Sequence, residues 1–215
     1  MRHSFTKKTG WLKDFLLELA ALWITWIYFI YYSTLRVEVI NSQFSPRKFL
    51  NSFNAIYVVW HGKTFVPLML GSYCRMGSIT LPDWKNAIYW KIRRHLGYQS
   101  APVTVADKSM FRLKKMLKQG SHVTVVADGI VGQFGLKKAG YIKPGALYLA
   151  AKTSKPIVAV RQEISKGFRL KKRWDQYEVP YPFSRVTVWF SNPIYTKNEA
   201  PDQIETKLRQ ALGHF

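Results

Sequence analysis

Hydrophobic positions fall into two regimes along the chain. Phe15 to Leu35 reads FLLELAALWITWIYFIYYSTL, with Glu18 as its only charge, and Leu19–Leu35 gives 17 uncharged residues in a row. As a helix that run is about 25 Å long at roughly 1.5 Å per residue, short of a hydrocarbon core roughly 30 Å thick. From Ala55 onward, short apolar runs alternate with longer amphipathic ones. Ile56–Trp60 (IYVVW), Ile79–Leu81, Val103–Val105, Val123–Ala127 (VTVVA), Ile157–Val160 and Val186–Phe190 predict strands. Trp84–Leu96, Lys108–Gln119, Gly145–Thr153 and Asp202–Leu212 predict helices, punctuated by Gly97, Gly120, Pro144 and Pro201. Strands alternating with helices at this spacing predict an α/β domain with a mixed, largely parallel sheet flanked by helices. The division falls into residues 1–40, a basic and hydrophobic N-terminal segment, and residues 41–215, the α/β domain. Arg161–Arg173 reads as a basic surface loop.

Charge changes this picture. The 215 residues carry 33 Lys and Arg against 12 Asp and Glu, a formal charge of +21 that calls for a negative counterpart. Arg2, Lys7, Lys8 and Lys13 precede the apolar segment and Arg36, Arg47 and Lys48 follow it, so both ends read as cytoplasmic. A helix lying in one leaflet satisfies that arrangement better than a crossing one, and Trp23, Trp26, Tyr28, Tyr31 and Tyr32 suit the lipid–water interface. The expected location is the cytoplasmic face of the inner (plasma) membrane, with anionic lipids as partners. Nucleic acid is not expected: the cations are spread along the whole chain and no RNP, zinc-finger or helix-turn-helix signature is present. A lone Cys74 excludes a disulfide framework and a cysteine-based zinc site.

Several predicted strands end in the same way. IYVVW runs into His61-Gly62, VTVVA into Asp128-Gly129, the run ITLP into Asp83, and PIVAV into Arg161. Ligands of open α/β sheets gather beyond the carboxyl ends of the strands, so these ends propose one site holding a base, two carboxylates and a cation. Competing motifs fail. Gly62-Lys63-Thr64 is not a phosphate loop, since Tyr57 stands where its first glycine belongs, and neither an HExxH pair nor a GxSxG elbow occurs. No metal is expected.

The blocks VVWHGKTFVPL, VVADGIVGQFGLKKAG and KPIVAVRQEIS, with Thr34-Leu35-Arg36 ahead of them and Leu96-Gly97 between, occur in an order that resembles the glycerolipid acyltransferase superfamily. The resemblance is to its lysophospholipid acyltransferase-like branch of bacterial proteins, and it covers most of residues 30–195. It implies a membrane-associated enzyme moving a fatty acyl group from a thioester to a hydroxyl of a (lyso)phospholipid or related lipid. The donor would be acyl-CoA or acyl carrier protein, and no other cofactor is implied. His61 would be the general base, with Asp128 and Asp83 as candidate orienting acids. Lys63, Gly129, Lys137, Lys138 and Arg161 would bind substrate, with Lys143 close by. The superfamily places an orienting Asp five residues after the histidine. Here that position is Val66, and no acid occurs between Gly62 and Pro82. This departure motivates an alternative, a non-catalytic lipid-binding or lipid-transfer protein that kept the fold.

Overall fold

The computed structural model describes residues 10–49, 53–80, 84–102, 106–129, 141–197 and 199–214. In chain order the strands are β1 (Arg36–Ile40), β2 (Ile56–Val59), β3 (Met76–Thr80), β4 (Gln99–Pro102), β5 (His122–Val126), β6 (Ile157–Ile164), β7 (Gly167–Arg169), β8 (Glu178–Pro180) and β9 (Arg185–Phe190). The helices are α1 (Trp11–Ser33), α2 (Pro46–Phe49), α3 (Phe65–Leu70), α4 (Trp84–His95), α5 (Ala106–Lys118), α6 (Gly145–Thr153) and α7 (Pro201–Leu212).

Seven strands form one sheet in the order β1-β9-β6-β2-β5-β3-β4. The run β6-β2-β5-β3-β4 is parallel throughout, β9 pairs antiparallel with β6, and β1 pairs parallel with β9. The mixed, largely parallel α/β class read from the sequence is therefore the observed one. β2 lies at the centre because all four of its residues are apolar and buried, as a strand covered on both faces requires. Ile56 and Val58 pack on one face against Leu113, Leu149 and Leu208. Tyr57 and Val59 pack on the other against Val66, Leu96 and Phe190.

The structure differs from the sequence reading in three places. Arg36–Ile40, assigned above to the N-terminal segment, is a sheet strand held by β9. β4 occupies Gln99–Pro102, one step before the expected Val103–Val105, which lie outside the described residues. The expected loop at Arg161–Arg173 is instead the end of β6 followed by β7, whose antiparallel pairing with β8 makes a two-stranded arm over residues 167–180.

α1 is long and apolar enough to cross a membrane, 23 residues with mean hydropathy 1.6 in its most apolar window. It packs along α4, and Ala21 and Thr25 are its buried residues. Glu18 turns toward the protein, pairing with Lys91 at 2.7 Å and also with Arg94, while Asp14 reaches Lys91 at 3.0 Å. Two tyrosines fasten the helix further. The Tyr28 hydroxyl donates to the Phe65 carbonyl of α3, and the Tyr31 hydroxyl donates to the Pro180 carbonyl of β8 at 2.6 Å. The outer face remains apolar and exposed, with Trp11, Phe15, Trp23, Trp26, Ile27 and Ile30 uncovered.

Candidate active site

β2 ends at Val59, and the chain turns through Trp60 into a single 3-10 turn, His61–Lys63, ahead of α3. His61 thus stands beyond the carboxyl end of the central strand, with its side chain one-third exposed (33%). Its Nδ1 lies 2.6 Å from Asp175 Oδ2, a carboxylate with no solvent exposure. An ionised carboxylate accepts only, so Nδ1 carries a hydrogen, and in the neutral ring Nε2 is then the nitrogen with the free lone pair. Burial alone would raise the Asp175 value, yet hydrogen bonds from His61 and Arg173 hold the carboxyl well below the usual carboxylate range.

Asp175 sits in the turn between β7 and β8, 114 residues after His61. Two features let the arm close on the histidine. Gly62 has no side chain, and a Cβ there would overlap the Asp175 carbonyl oxygen. Trp174 brings its ring centroid to 5.3 Å from that of the imidazole, tilted 43° to it.

Asp128 follows β5, the neighbour of β2, and is buried (2% exposed). Its Oδ1 accepts the backbone N–H of His61 at 3.2 Å, so it anchors the main chain, whereas the ring's partner is Asp175. The other oxygen, Oδ2, is buried with no hydrogen-bond partner among the described residues. Burial raises the Asp128 value and attraction to His61 opposes that rise. Asp83, Lys137 and Lys138 lie outside the described residues.

The remaining expected residues fall in three places. Gly129 lies in the left-handed region at φ 75°, and a Cβ there would collide with the Lys143 side chain; both residues line the cavity described below. Lys63 instead faces the arm, 3.9 Å from Glu178, and burial lowers its value against that carboxylate's pull. Arg161 is not among the cavity's lining residues. It pairs with Glu163, lies over the Trp189 ring at 5.2 Å and packs against Gly213 just past α7. Val66 is fully buried in the core, and its N–H donates to Gln162 Oε1 at 2.9 Å. The carboxylate that meets the His61 ring therefore comes from the arm and not from α3.

His61 opens on a cavity of about 370 Å³ with mostly apolar walls, within the usual size range of small-molecule sites. The cavity forms because β3 and β5 pair only at Met76–His122 and Gly77–Val123 and then part. Ile79 and Thr80 of β3 and Thr124, Val125 and Val126 of β5 line the gap, with Tyr57, Leu68, Val160 and Phe190 on the other walls. Arg93 of α4 also lines it. This residue is buried, stacked on Tyr89 at 4.8 Å and Tyr98 at 5.8 Å, and donates Nη1 to the Ile79 carbonyl at 3.3 Å. Its Nε has no hydrogen-bond partner, and no carboxylate pairs with it, among the described residues. No cluster of metal-ligating side chains occurs among the described residues.

The 1-acyl-sn-glycerophosphate (LPA) acyltransferase PlsC of Thermotoga maritima superposes with a TM-score of 0.58 at 20% identity, over 93% of this chain and 78% of that one. The chain has a glycerolipid acyltransferase-like fold. An uncharacterised protein of Rickettsia prowazekii (strain Madrid E) is 22% identical over 184 residues, covering 83% of this chain and 82% of the relative. No family model matches the chain.

Asp175 was not singled out from the sequence, and Arg173 was read only as the end of a basic surface stretch. The signal available was scarcity: Asp175 is the only acid between Glu163 and Glu178, set between Trp174 and Tyr177 in a basic stretch.

Proposed function

We propose that this protein transfers a fatty acyl group from a thioester, acyl-CoA or acyl carrier protein, to a hydroxyl of a (lyso)phospholipid or related lipid. The observation that carries the reading is the His61–Asp175 pair at the opening of the apolar cavity. In this mechanism His61 Nε2 takes the proton of the acceptor hydroxyl as its oxygen attacks the thioester carbonyl. The tetrahedral intermediate then collapses, the C–S bond breaks, and the imidazolium returns the proton to the departing thiolate. Asp175 keeps the ring in the required tautomer and steadies its positive charge, as the acid of a hydrolase triad does. Arg93, a buried cation without a carboxylate partner among the described residues, suits an acceptor that carries an anionic group.

α1 supports an in-plane attachment to the membrane. Its two acidic side chains, Asp14 and Glu18, are occupied by α4, and its uncovered face presents tryptophans and aliphatics. A cytoplasmic leaflet rich in anionic lipid complements the chain's charge. The alternative of a non-catalytic lipid-binding protein drew its motive from the missing acid at position 66, and Asp175 weakens that motive.

The test is transfer of labelled acyl groups from acyl-CoA and acyl carrier protein to a lysophospholipid panel, with wild type and His61→Ala. Product from wild type and none from a folded, vesicle-bound His61→Ala is the expected result. Lipid binding without product from either protein would favour the non-catalytic alternative.

A further inference from the structure

Among the described residues, Arg173 as well as His61 hydrogen-bonds the Asp175 carboxylate. Arg173 Nε donates to Oδ1 at 2.9 Å and Nη2 to Oδ2 at 2.7 Å, on the oxygen that also meets His61 at 2.6 Å. A guanidinium fork makes two contacts at fixed spacing, so it stops the carboxylate from rotating away from the imidazole. Arg173 is itself held. Its N–H donates to the Leu170 carbonyl at 2.8 Å, its carbonyl accepts from the Gln176 N–H at 3.1 Å, and its guanidinium lies over the Tyr177 ring at 5.1 Å. A buried carboxylate beside a histidine would, left to itself, favour keeping the proton on the ring. A cation on the far side of that carboxylate opposes this.

We propose that Arg173 is a positioning residue of the candidate site: it locks Asp175 in the rotamer that reaches His61, and its charge keeps the pair from trapping a proton on the imidazole. The other charged groups around His61 come from different elements. Asp128 faces it from the end of β5, and Lys63 joins Arg169 and Glu178 of the arm in a separate ion-pair group. All of them remain in an Arg173 variant, so a change in the histidine's titration on removing Arg173 reports on Arg173.

The kinetic side of this inference rests on the acyl-transfer reading, so the experiment includes a measurement that needs no substrate. Full-length wild type, Arg173→Gln and Arg173→Lys are compared by NMR titration of the His61 ring, assigned with His61→Gln, and by the pH–rate profile of acyl transfer. In Arg173→Gln the imidazole midpoint and the acidic limb of kcat/KM should both move to higher pH, and the rate at neutral pH should fall about tenfold or more. Lysine restores the charge but not the fork, so Arg173→Lys should recover the midpoint and only part of the rate. A folded Arg173→Gln with midpoint and limb unmoved would overturn the proposal. Should the glutamine variant fail to fold, Arg173→Lys decides: full wild-type rate overturns the fork, and a lowered rate at an unchanged midpoint supports it. If the wild type shows no transfer, the titration alone judges Arg173 while the acyl-transfer reading falls separately.

Discussion

Replacing Asp175 with asparagine tests the dyad at its least forgiving point. The carboxylate accepts from His61 and from both Arg173 donors, with three contacts shared between two oxygens. Asparagine has one acceptor oxygen and one NH₂ group. With its oxygen at the Oδ2 position, the NH₂ meets Arg173 Nε, donor against donor. Turned over, it meets His61 and forces the ring into the opposite tautomer. In both cases the negative charge that steadies the imidazolium is lost. A positioned general base contributes about 10²–10⁴ in rate, and loss of the orienting acid of a triad falls near the upper end. A fall of about 10³ in kcat is the expectation, equivalent to roughly 4 kcal/mol. KM should change little, because Asp175 is fully buried and is not among the residues lining the cavity. The fold should survive, since the guanidinium left behind is about half exposed (47%) and can be hydrated. The assay is the initial rate of acyl transfer from a labelled thioester to a lysophospholipid, with a thermal melt alongside. A folded Asp175→Asn working within about threefold of wild type would refute the role given to this carboxylate.

Three further outcomes are expected. Gly62→Ala places a methyl group against the Asp175 carbonyl, so it should push the arm off the histidine; acyl transfer should fall by more than the ~1–3 kcal/mol of stability typical of overpacking can explain, read by rate and melt together. Burial raises the Asp128 value, so the folded chain holds that proton more readily than the unfolded one and loses stability as pH rises through the folded value. Asp128→Asn keeps an acceptor for the His61 N–H without the charge, so it should melt above wild type at pH 8, with the gap closing below the ordinary carboxylate value; melts across pH check this, and a gap that ignores pH would count against it. Trp23 and Trp26 are 68% and 60% exposed on the outer face of α1, so replacing both with serine should leave the melting temperature in place. The same double variant should weaken binding to anionic vesicles roughly tenfold or more, a change that needs only about 1.4 kcal/mol, measured by flotation.

The parts of the fold that local pattern specifies were legible in the sequence. β2, β5 and β9 are runs of β-branched residues whose burial dictates a central sheet, and His61, Asp128 and Gly129 follow two of those strands as read. β1 was missed because its alternating RVEVI adjoins a long apolar helix and took on that helix's assignment. The arm was missed because its exposed cations, Lys171 and Lys172 among them, look like any solvated loop, and the strands beside them are only three residues long. Asp175 left no periodic trace, since its meaning lies in a contact spanning 114 residues. Expecting the acid near position 66 drew attention to α3, where the side chain is buried in the core.

The two tyrosine contacts of α1 bear on how this protein should be prepared. Tyr28 braces the segment just after the histidine, and Tyr31 braces the strand that carries the arm back from the carboxylate. Trimming the greasy N-terminus to obtain a well-behaved soluble fragment would unlatch both halves of the dyad at once. A silent fragment of that kind would say nothing about the intact chain, and the preparation worth the effort is the full-length protein kept in detergent or on lipid.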